Sequence, residues 1–309
     1  MQDEGFRVSG TVPPLSDGAG QRIVASVVIV CFRSGRKLGD CLASLGGGTG
    51  SPAGIEVIVV NNSSDDAEEI AAICARHGAI FRQSGGNLGF GGGCNAGAAG
   101  ARGDVVMFVN PDVLVTPEDL SRLAALMGAH PDLVALGPLQ QAPNGRIRAK
   151  RHAVGQPKPA PDADGAAPLM ETRFLSGGAL MVRRAAFERI GGFDDAIFLF
   201  HEDDDLCLRL APLGRLAYAR GVVVRHDWGT STPPSAEATR FRLWHQGYSK
   251  VQVLRKHYGD MAARGALFEA FLKFVSPEML TAKGRRKARA FLGGVRAALS
   301  RSSNGYVPQ

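Results

Sequence analysis

Two acidic groups stand directly behind apolar runs in this chain of 309 residues. Asn110-Pro111-Asp112 follows Val105-Val106-Met107-Phe108-Val109, and His201-Glu202-Asp203-Asp204-Asp205 follows Phe198-Leu199-Phe200. Carboxylates at the ends of buried strands are costly to desolvate unless they hold a cation or do chemistry. In open α/β sheets, ligands collect beyond the carboxyl ends of the strands. Together the two groups suggest a site for a metal-bound phosphate substrate and, apart from it, a general base.

The surrounding pattern supplies elements that could position them. Ile23 to Phe32 is a continuous apolar run rich in β-branched residues, which predicts a buried parallel strand. Helical spacing follows over Gly35 to Leu45, then a second strand at Ile55 to Val60. The polar turn from Asn61 to Asp66 can cap a helix over Ala67 to His77. A short strand at Ala79 to Arg82 leads to the Gly-rich stretch Gly85 to Gly93, which opens a small-residue helix over Cys94 to Arg102. Val105 to Val109 is the third long strand, and Thr116-Pro117-Glu118-Asp119 carries a capping pattern for another helix. Alternation of this kind predicts a doubly wound, mostly parallel α/β sheet flanked by helices. Residues 140 to 168, rich in Pro, Gly, Ala and charge, read as a mobile loop and a candidate lid. Beyond it come a strand at Ala179 to Val182, helices over Arg184 to Ile190 and about Asp204 to Leu213, and a strand over Leu216 to Arg225. The chain after Pro233-Pro234 reads as helical, and no internal repeat is present.

Composition narrows the class. No run of about 18 apolar residues is available to span a bilayer, and the polar first 20 residues lack a signal pattern. Five cysteines, an odd number without a CxxC pair, argue against a disulfide framework or a zinc site and for a reducing, cytoplasmic setting. Charge is uneven: from Arg240 onward there are 14 Lys/Arg against 3 Asp/Glu, whereas the chain as a whole carries +7. A basic tail on a mildly acidic body suggests an anionic partner surface. Its aromatics (Trp244, Tyr248, Tyr258, Phe268, Phe271, Phe274) stand among basic residues, which suits a helix lying on anionic lipid. Those same aromatics could instead form a homodimer contact, or pack against the sheet as a helical cap. No nucleic-acid motif accompanies the charge.

The order of five segments resembles family 2 glycosyltransferases of the GT-A fold, and most closely their bacterial rhamnosyltransferase-like branch. The segments lie at Ala25 to Val30, Val57 to Asp66 (VIVVNNSSDD), Gly85 to Asp104, Phe108 to Asp112 (FVNPD), and Phe174 to Leu210, which contains GGFDDAIFLFHEDDD. The resemblance implies a metal-dependent, inverting sugar transfer. Asp112 would hold Mg2+ or Mn2+ against the diphosphate of a sugar nucleotide, with the neutral Asn110 in the first position of the motif, and His226 would help hold the metal or the departing diphosphate. Asp203 would be the base that deprotonates the acceptor hydroxyl. Val30, Phe32, Arg33, Asn61, Asn87, Leu88, Gly89, Phe90 and Asn95 would form the nucleotide-sugar pocket, with Asn61 where the family commonly has Asp. Gly177, Gly178 and Glu202, with Asp203, would line the acceptor side.

The expected organisation is a disordered lead (1–21), a GT-A catalytic domain (22–235, with a nucleotide-sugar half 22–138 and an acceptor half 169–235), and a basic helical region (236–309). The expected activity moves a deoxyhexose such as L-rhamnose from a dTDP- or UDP-sugar to a glycan, lipid-linked for preference, in bacterial surface polysaccharide synthesis. The setting would be the cytoplasmic face of the inner membrane, reached through the basic C-terminal region. Two rivals stand beside it: a catalytically inactive nucleotide-sugar-binding protein of the same fold, kept open by Asn61 and Asn110, and a basic nucleic-acid binder. A dehydrogenase reading of Gly91-x-Gly93-x-x-Ala96 is set aside, because that pattern belongs after the first strand.

Overall fold

The computed structural model describes residues 24–46, 54–159, 167–228, 235–275 and 277–300; the expected lead over 1–21 lies outside them. Strands β1 (Ala25–Cys31), β2 (Ile55–Asn61), β3 (Ile80–Gln83) and β4 (Val105–Val109) alternate with helices α1 (Gly35–Ser44), α2 (Ala67–Arg76) and α3 (Gly89–Ala98). Then follow β5 (Val113–Leu114), α4 (Pro117–Ala129), β6 (Leu133–Gln141), β7 (Ile147–Arg148), β8 (Leu169–Thr172) and β9 (Ala179–Arg183). The remaining elements are α5 (Arg184–Arg189), α6 (Glu202–Leu210), β10 (Arg215–His226), α7 (Ala236–Phe274) and α8 (Ala282–Ser300).

All ten strands join one sheet in the order β3-β2-β1-β4-β9-β6-β10-β5, with β7 on β6 and β8 on β10. The first four are mutually parallel, and so are β6 and β10, while β9 runs antiparallel to both β4 and β6. That single reversal matters for function. It puts the carboxyl ends of β1, β2, β4, β6 and β10 and the amino end of β9 along one edge of the sheet.

The strands read as unbroken apolar runs because both sheet faces are buried. Val27, Ile29 and Cys31 face one core with Leu38, Ile70 and Leu120, while Val28 and Val30 face a second core with Cys94, Phe187 and Leu206. Residues alternate faces along a strand, so each core receives every second side chain. The second core contains an aromatic cluster in which Phe108 lies 5.1 Å from Phe187 and 5.2 Å from Phe193, centroid to centroid.

Helix α3 begins at Gly89, earlier than the expected Cys94. Its glycines are contact residues: a Cβ on Gly93 would lie 2.6 Å from Val30 Cγ1, and one on Gly97 would collide with Val28 and stand 3.2 Å from Val60 Cγ2. The helix is glycine-rich because it lies almost on the backbone of β1 and β2. The α4 capping box expected at Thr116 is present, with Thr116 Oγ1 accepting from Asp119 N and Asp119 Oδ2 accepting from Thr116 N. Asp66 does occupy the N-cap of α2, but its carboxylate accepts from Asn61 Nδ2 rather than from the helix backbone.

Residues 140 to 159 depart from the loop expectation. They continue β6, form β7 and then fold back onto α6, where Val154 N donates to Asp204 Oδ1 at 2.7 Å. Strand β6 was not anticipated because Gly137-Pro138 reads as a boundary. Pro138 is tolerated because β9 pairs with β6 only at Ala135 and Leu136, before the missing N–H is reached.

Glycine packing gives a test with opposite signs. Gly97→Val should destabilise the protein by roughly 1–3 kcal/mol through overpacking. Gly39→Ala, in α1 with open space around its Cβ position, should stabilise it by about 0.5–1 kcal/mol. Urea midpoints at unchanged m-value check both.

Candidate functional site

The common strand edge gathers the predicted residues from distant parts of the chain. The turn after β4 carries Asp112, which is 3% exposed, and the two-residue β5 pairs antiparallel with the end of β10 so that Val113 sits opposite His226. This short pairing brings Asp112 Oδ1 to 3.3 Å from His226 Nε2. His226 Nδ1 lies 2.8 Å from Gln140 Oε1, so Nδ1 donates there and Nε2 faces Asp112. Trp228 stacks on the imidazole at 4.4 Å, with the Arg148 guanidinium 4.5 Å from the Trp228 ring centroid.

A neutral imidazole nitrogen and a carboxylate at this spacing can present two ligand atoms to one cation. Two ligand atoms of one octahedral divalent ion, each about 2.1 Å from it, lie about 3 Å apart. The Asp112–His226 spacing and the Gln140 hydrogen bond behind the imidazole therefore fit an oxygen-preferring metal with an outer-shell support. Among the described residues no three or more His, Cys, Asp or Glu are placed so that they could hold one metal ion, so other ligands would have to come from substrate oxygens and water.

Gly177 and Gly178 join this pair to the acidic helix. A Cβ on Gly178 would stand 2.6 Å from His226 Cε1, and one on Gly177 would stand 2.9 Å from Phe90 Cε1 and 3.7 Å from Asp203 Cβ. Gly178 O accepts from Asn110 N at 3.0 Å, and Gly177 N donates to Asp203 Oδ2 at 3.3 Å. The two glycines form the seam between the Asp112–His226 pair and Asp203.

The four acids of α6 occupy four environments. Glu202 is buried, its Oε2 accepts no hydrogen bond, and burial and then Asp203 push its carboxyl well above the ordinary range. Asp204 is buried too, which works to raise its pKa, but His201, Lys150 and the Val154 N–H around it hold it below the ordinary value. Asp205 is likewise held low against burial by Lys256, Arg209 and His257, at 2.6 to 2.8 Å. Only Asp203 remains at the partly open edge, and its carboxyl is pushed up to about 6, first by burial and then by the charge of Asp204. Lys150, the Gly177 N–H and His201 oppose that rise.

The turn that delivers α6 is strained. Phe200 and His201 both have φ of 65°, a left-handed conformation unfavourable for non-glycine residues. It is held from behind by α7: Ser249 Oγ donates to Leu199 O at 2.9 Å, and His245 packs 5.0 Å from the Phe198 ring, centroid to centroid.

The nucleotide-side residues divide. A cavity of about 240 Å³ beyond β1 and β2 is lined by Phe32, Arg33 and Asn87, as expected, and also by Asn62, Gln83 and Ser84. Asn61 lies beneath it, fully buried, with its amide committed to Ser63 O, Asp66 and Gln83. Asn95 brackets the turn at Phe193, donating to Phe193 O and accepting from Phe193 N. Val30 packs under α3, and Phe90 lies against Phe193 at 6.0 Å. Gln140 and Asn62 were absent from the sequence reading. Gln140 sits on an unrecognised strand, whereas Asn62 is adjacent to Asn61 in the same polar turn and could have been weighed with it.

The raised carboxyl has a consequence for stability. A carboxyl whose folded pKa exceeds its unfolded value is destabilising when ionised, so stability is lost as pH rises from about 4 to about 6. Asp203→Asn should therefore stabilise the protein above pH 6 by on the order of 2 kcal/mol, read as a higher Tm, and change it little below about pH 4. The same substitution removes a charge that helps raise Glu202, Cys207 and Tyr218, which acts in the same direction. Thermal melts across that window decide it.

Comparison with known proteins agrees with this geometry. A family model for glycosyl transferase family 2 matches residues 26–191. The N-acetylglucosaminyl-diphospho-decaprenol L-rhamnosyltransferase of Mycobacterium tuberculosis is 33% identical over 265 residues, covering 76% of this chain and 81% of that protein. Among solved structures, the mannosyltransferase PcManGT from Pyrobaculum calidifontis, in complex with GDP-Man and Mn2+, has a TM-score of 0.56 at 15% identity and covers 90% and 87% of the two chains. The TarS 1-349 structure from S. aureus has a TM-score of 0.54 at 16% identity, covering 90% of each. These two share the GT-A glycosyltransferase fold with the protein. With the family model spanning more than half of its length and a 33%-identical relative covering 76% of it, the chain belongs to glycosyl transferase family 2.

Proposed function

We propose that this glycosyltransferase moves a deoxyhexose, best matched to L-rhamnose, from a dTDP- or UDP-sugar to a hydroxyl of a lipid-linked glycan, inverting the anomeric centre. The observation that carries the mechanism is the separation of the α6 carboxylates, which leaves Asp203 alone near pKa 6 beside the glycine seam. A base poised near the working pH combines ionisation with proton affinity. Asp203 takes the proton of the acceptor hydroxyl as that oxygen attacks the anomeric carbon. The bond from that carbon to the phosphate oxygen breaks, and its electron pair leaves on the nucleoside diphosphate. The products are the inverted glycoside and a protonated Asp203, with no covalent intermediate.

Asp112 and His226 would hold Mg2+ or Mn2+, which when bound neutralises diphosphate charge. Gln140 orients the imidazole for that role through Nδ1. In the cavity beyond β2, Asn62 Oδ1 is buried and accepts no hydrogen bond. A nucleobase N–H, such as the imide of thymine or uracil or N1–H of guanine, would supply that missing donor; the pyrimidine rests on the resemblance to rhamnosyltransferases. The sugar and the acceptor class rest on the name of the mycobacterial relative. The corresponding setting is the cytoplasmic face of a bacterial inner membrane; among the described residues no helix is long and apolar enough to cross one.

Two measurements test the reading. Thermal stabilisation by dTDP or UDP should amount to several degrees, require Mn2+ or Mg2+, exceed that by GDP, and vanish in Asp112→Ala. Equal stabilisation of wild type and Asp112→Ala would remove the metal assignment. In turnover assays Asp203→Asn should lower kcat by at least about 10³-fold while leaving the nucleotide shift intact. The wild-type rate should fall about tenfold per pH unit below pH 6. A wild type that binds nucleotide without turnover would identify the non-catalytic binder instead.

A further inference from the structure

We propose that the distal half of α7, the turn after it and α8 form a docking edge that enters an anionic bilayer leaflet without crossing it. Of the ten large apolar residues that are exposed among those described, seven lie between residues 258 and 280. Met261, Phe268, Phe271, Leu272, Val275 and Leu280 are 50 to 88% exposed. Residues 261, 268, 272 and 275 recur at helical intervals of seven, four and three, so they form one ridge.

The ridge is not needed to build the hairpin. The opposite side of α7 carries Ala263, Ala266 and Ala270, which are buried in a core shared with Phe291, Val295 and Ala298 of α8. Small residues also let the helices cross closely, since a Cβ on Gly294 would collide with the backbone of Trp244. Folding therefore consumes the alanine face and leaves the aromatic face to water, an arrangement that marks an interaction surface.

Charge selects the occupant. Helix α8 contains no acidic residue and exposes Lys283, Arg285, Arg286 and Arg289, and Arg285 donates to Met279 O and Leu280 O beside the exposed Leu280. On the distal half of α7, Glu269 is paired with Lys250 and lies 4.0 Å from Lys273. A second copy meeting this face symmetrically would set these cations against one another, whereas lipid phosphates complement them and acyl chains accept the phenyl rings. The inference gives the lipid-linked acceptor of the proposed reaction a surface on which to be met, and in that sense rests on it. The same α7, on the near side of its break at Gly259 (φ 81°), supports the turn that carries Asp203.

Vesicle co-sedimentation of the full chain tests this without donor or acceptor, so its outcome is separate from that of the transfer assay. The protein should bind phosphatidylcholine vesicles containing phosphatidylglycerol, and bind pure phosphatidylcholine about tenfold more weakly. Phe268→Ser/Phe271→Ser/Val275→Ser and, separately, Arg285→Glu/Arg286→Glu/Arg289→Glu should each weaken binding by at least about tenfold. Only the contribution lost in the second set should fade with added salt. Both variants should keep the wild-type Tm and its nucleotide-induced shift, which excludes misfolding. Wild type that stays in the supernatant with anionic vesicles, or variants that bind as wild type does, would overturn the proposal. So would a dimer on size exclusion that both sets of substitutions dissociate, because the face would then belong to a second copy.

Discussion

Four adjacent carboxylates at one helix start repel one another, and much of this molecule consists of the means to separate them. Two are held by partners from the helix itself and from distant segments: Asp204 by its N-cap His201, by Lys150 and by the loop after β7, and Asp205 by Arg209 one turn along the helix and by Lys256 and His257 of α7. One, Glu202, is buried where its neutral form is favoured. What remains is a single carboxyl of intermediate acidity at the open edge of the sheet. Like charges that cannot all ionise are a general route to a base near neutral pH. Here the route depends in part on Lys150, Lys256 and His257, which come from parts of the chain more than 50 residues to either side.

The two sides of the site are therefore built differently. The Asp112–His226 pair is fixed by strand pairing, because β5, β6 and β10 place Asp112, Gln140 and His226 by backbone register. Asp203 sits on a helix entered through two left-handed residues and secured by side chains of α7. Strained residues of this kind persist only where their surroundings over-determine them. The contacts of Ser249, Lys256 and His257 cross the expected division after residue 235, so the basic helical region takes part in shaping the turn and helix that carry Asp203.

Legibility of the sequence followed burial. Strands β1, β2 and β4 were plain because both their faces are covered and almost every residue is apolar. Strands β6 and β8 were not, since Gly137-Pro138 resembles a boundary and Leu169–Thr172 is short and half-exposed. The start of α3 was displaced because glycine reads as a breaker, whereas here it is the only residue that allows contact with Val28 and Val30. Asp112, His226 and Asp203 were legible one by one from their places after apolar runs. Their relation to one another was not, since a two-residue strand and a pair of glycines create it. Asn61 and Asn95 carry suitable chemistry for a ligand, but residue type gives no amide direction, and both amides turn into the protein.

Glycosyl transfer to an acceptor confined to a membrane would favour this division of labour. A small, soluble donor can be met by a rigid, preformed pocket, and the sheet edge supplies one. A lipid-linked acceptor approaches from a plane, so the group that activates it must be held in a fixed relation to that plane. Helix α7 meets that requirement because it bears the apolar ridge at one end and the buttress of the catalytic turn at the other. The break at Gly259 lies between these two segments. Orientation on the membrane and orientation of the base would then be set by two consecutive helical segments that share one core with α8.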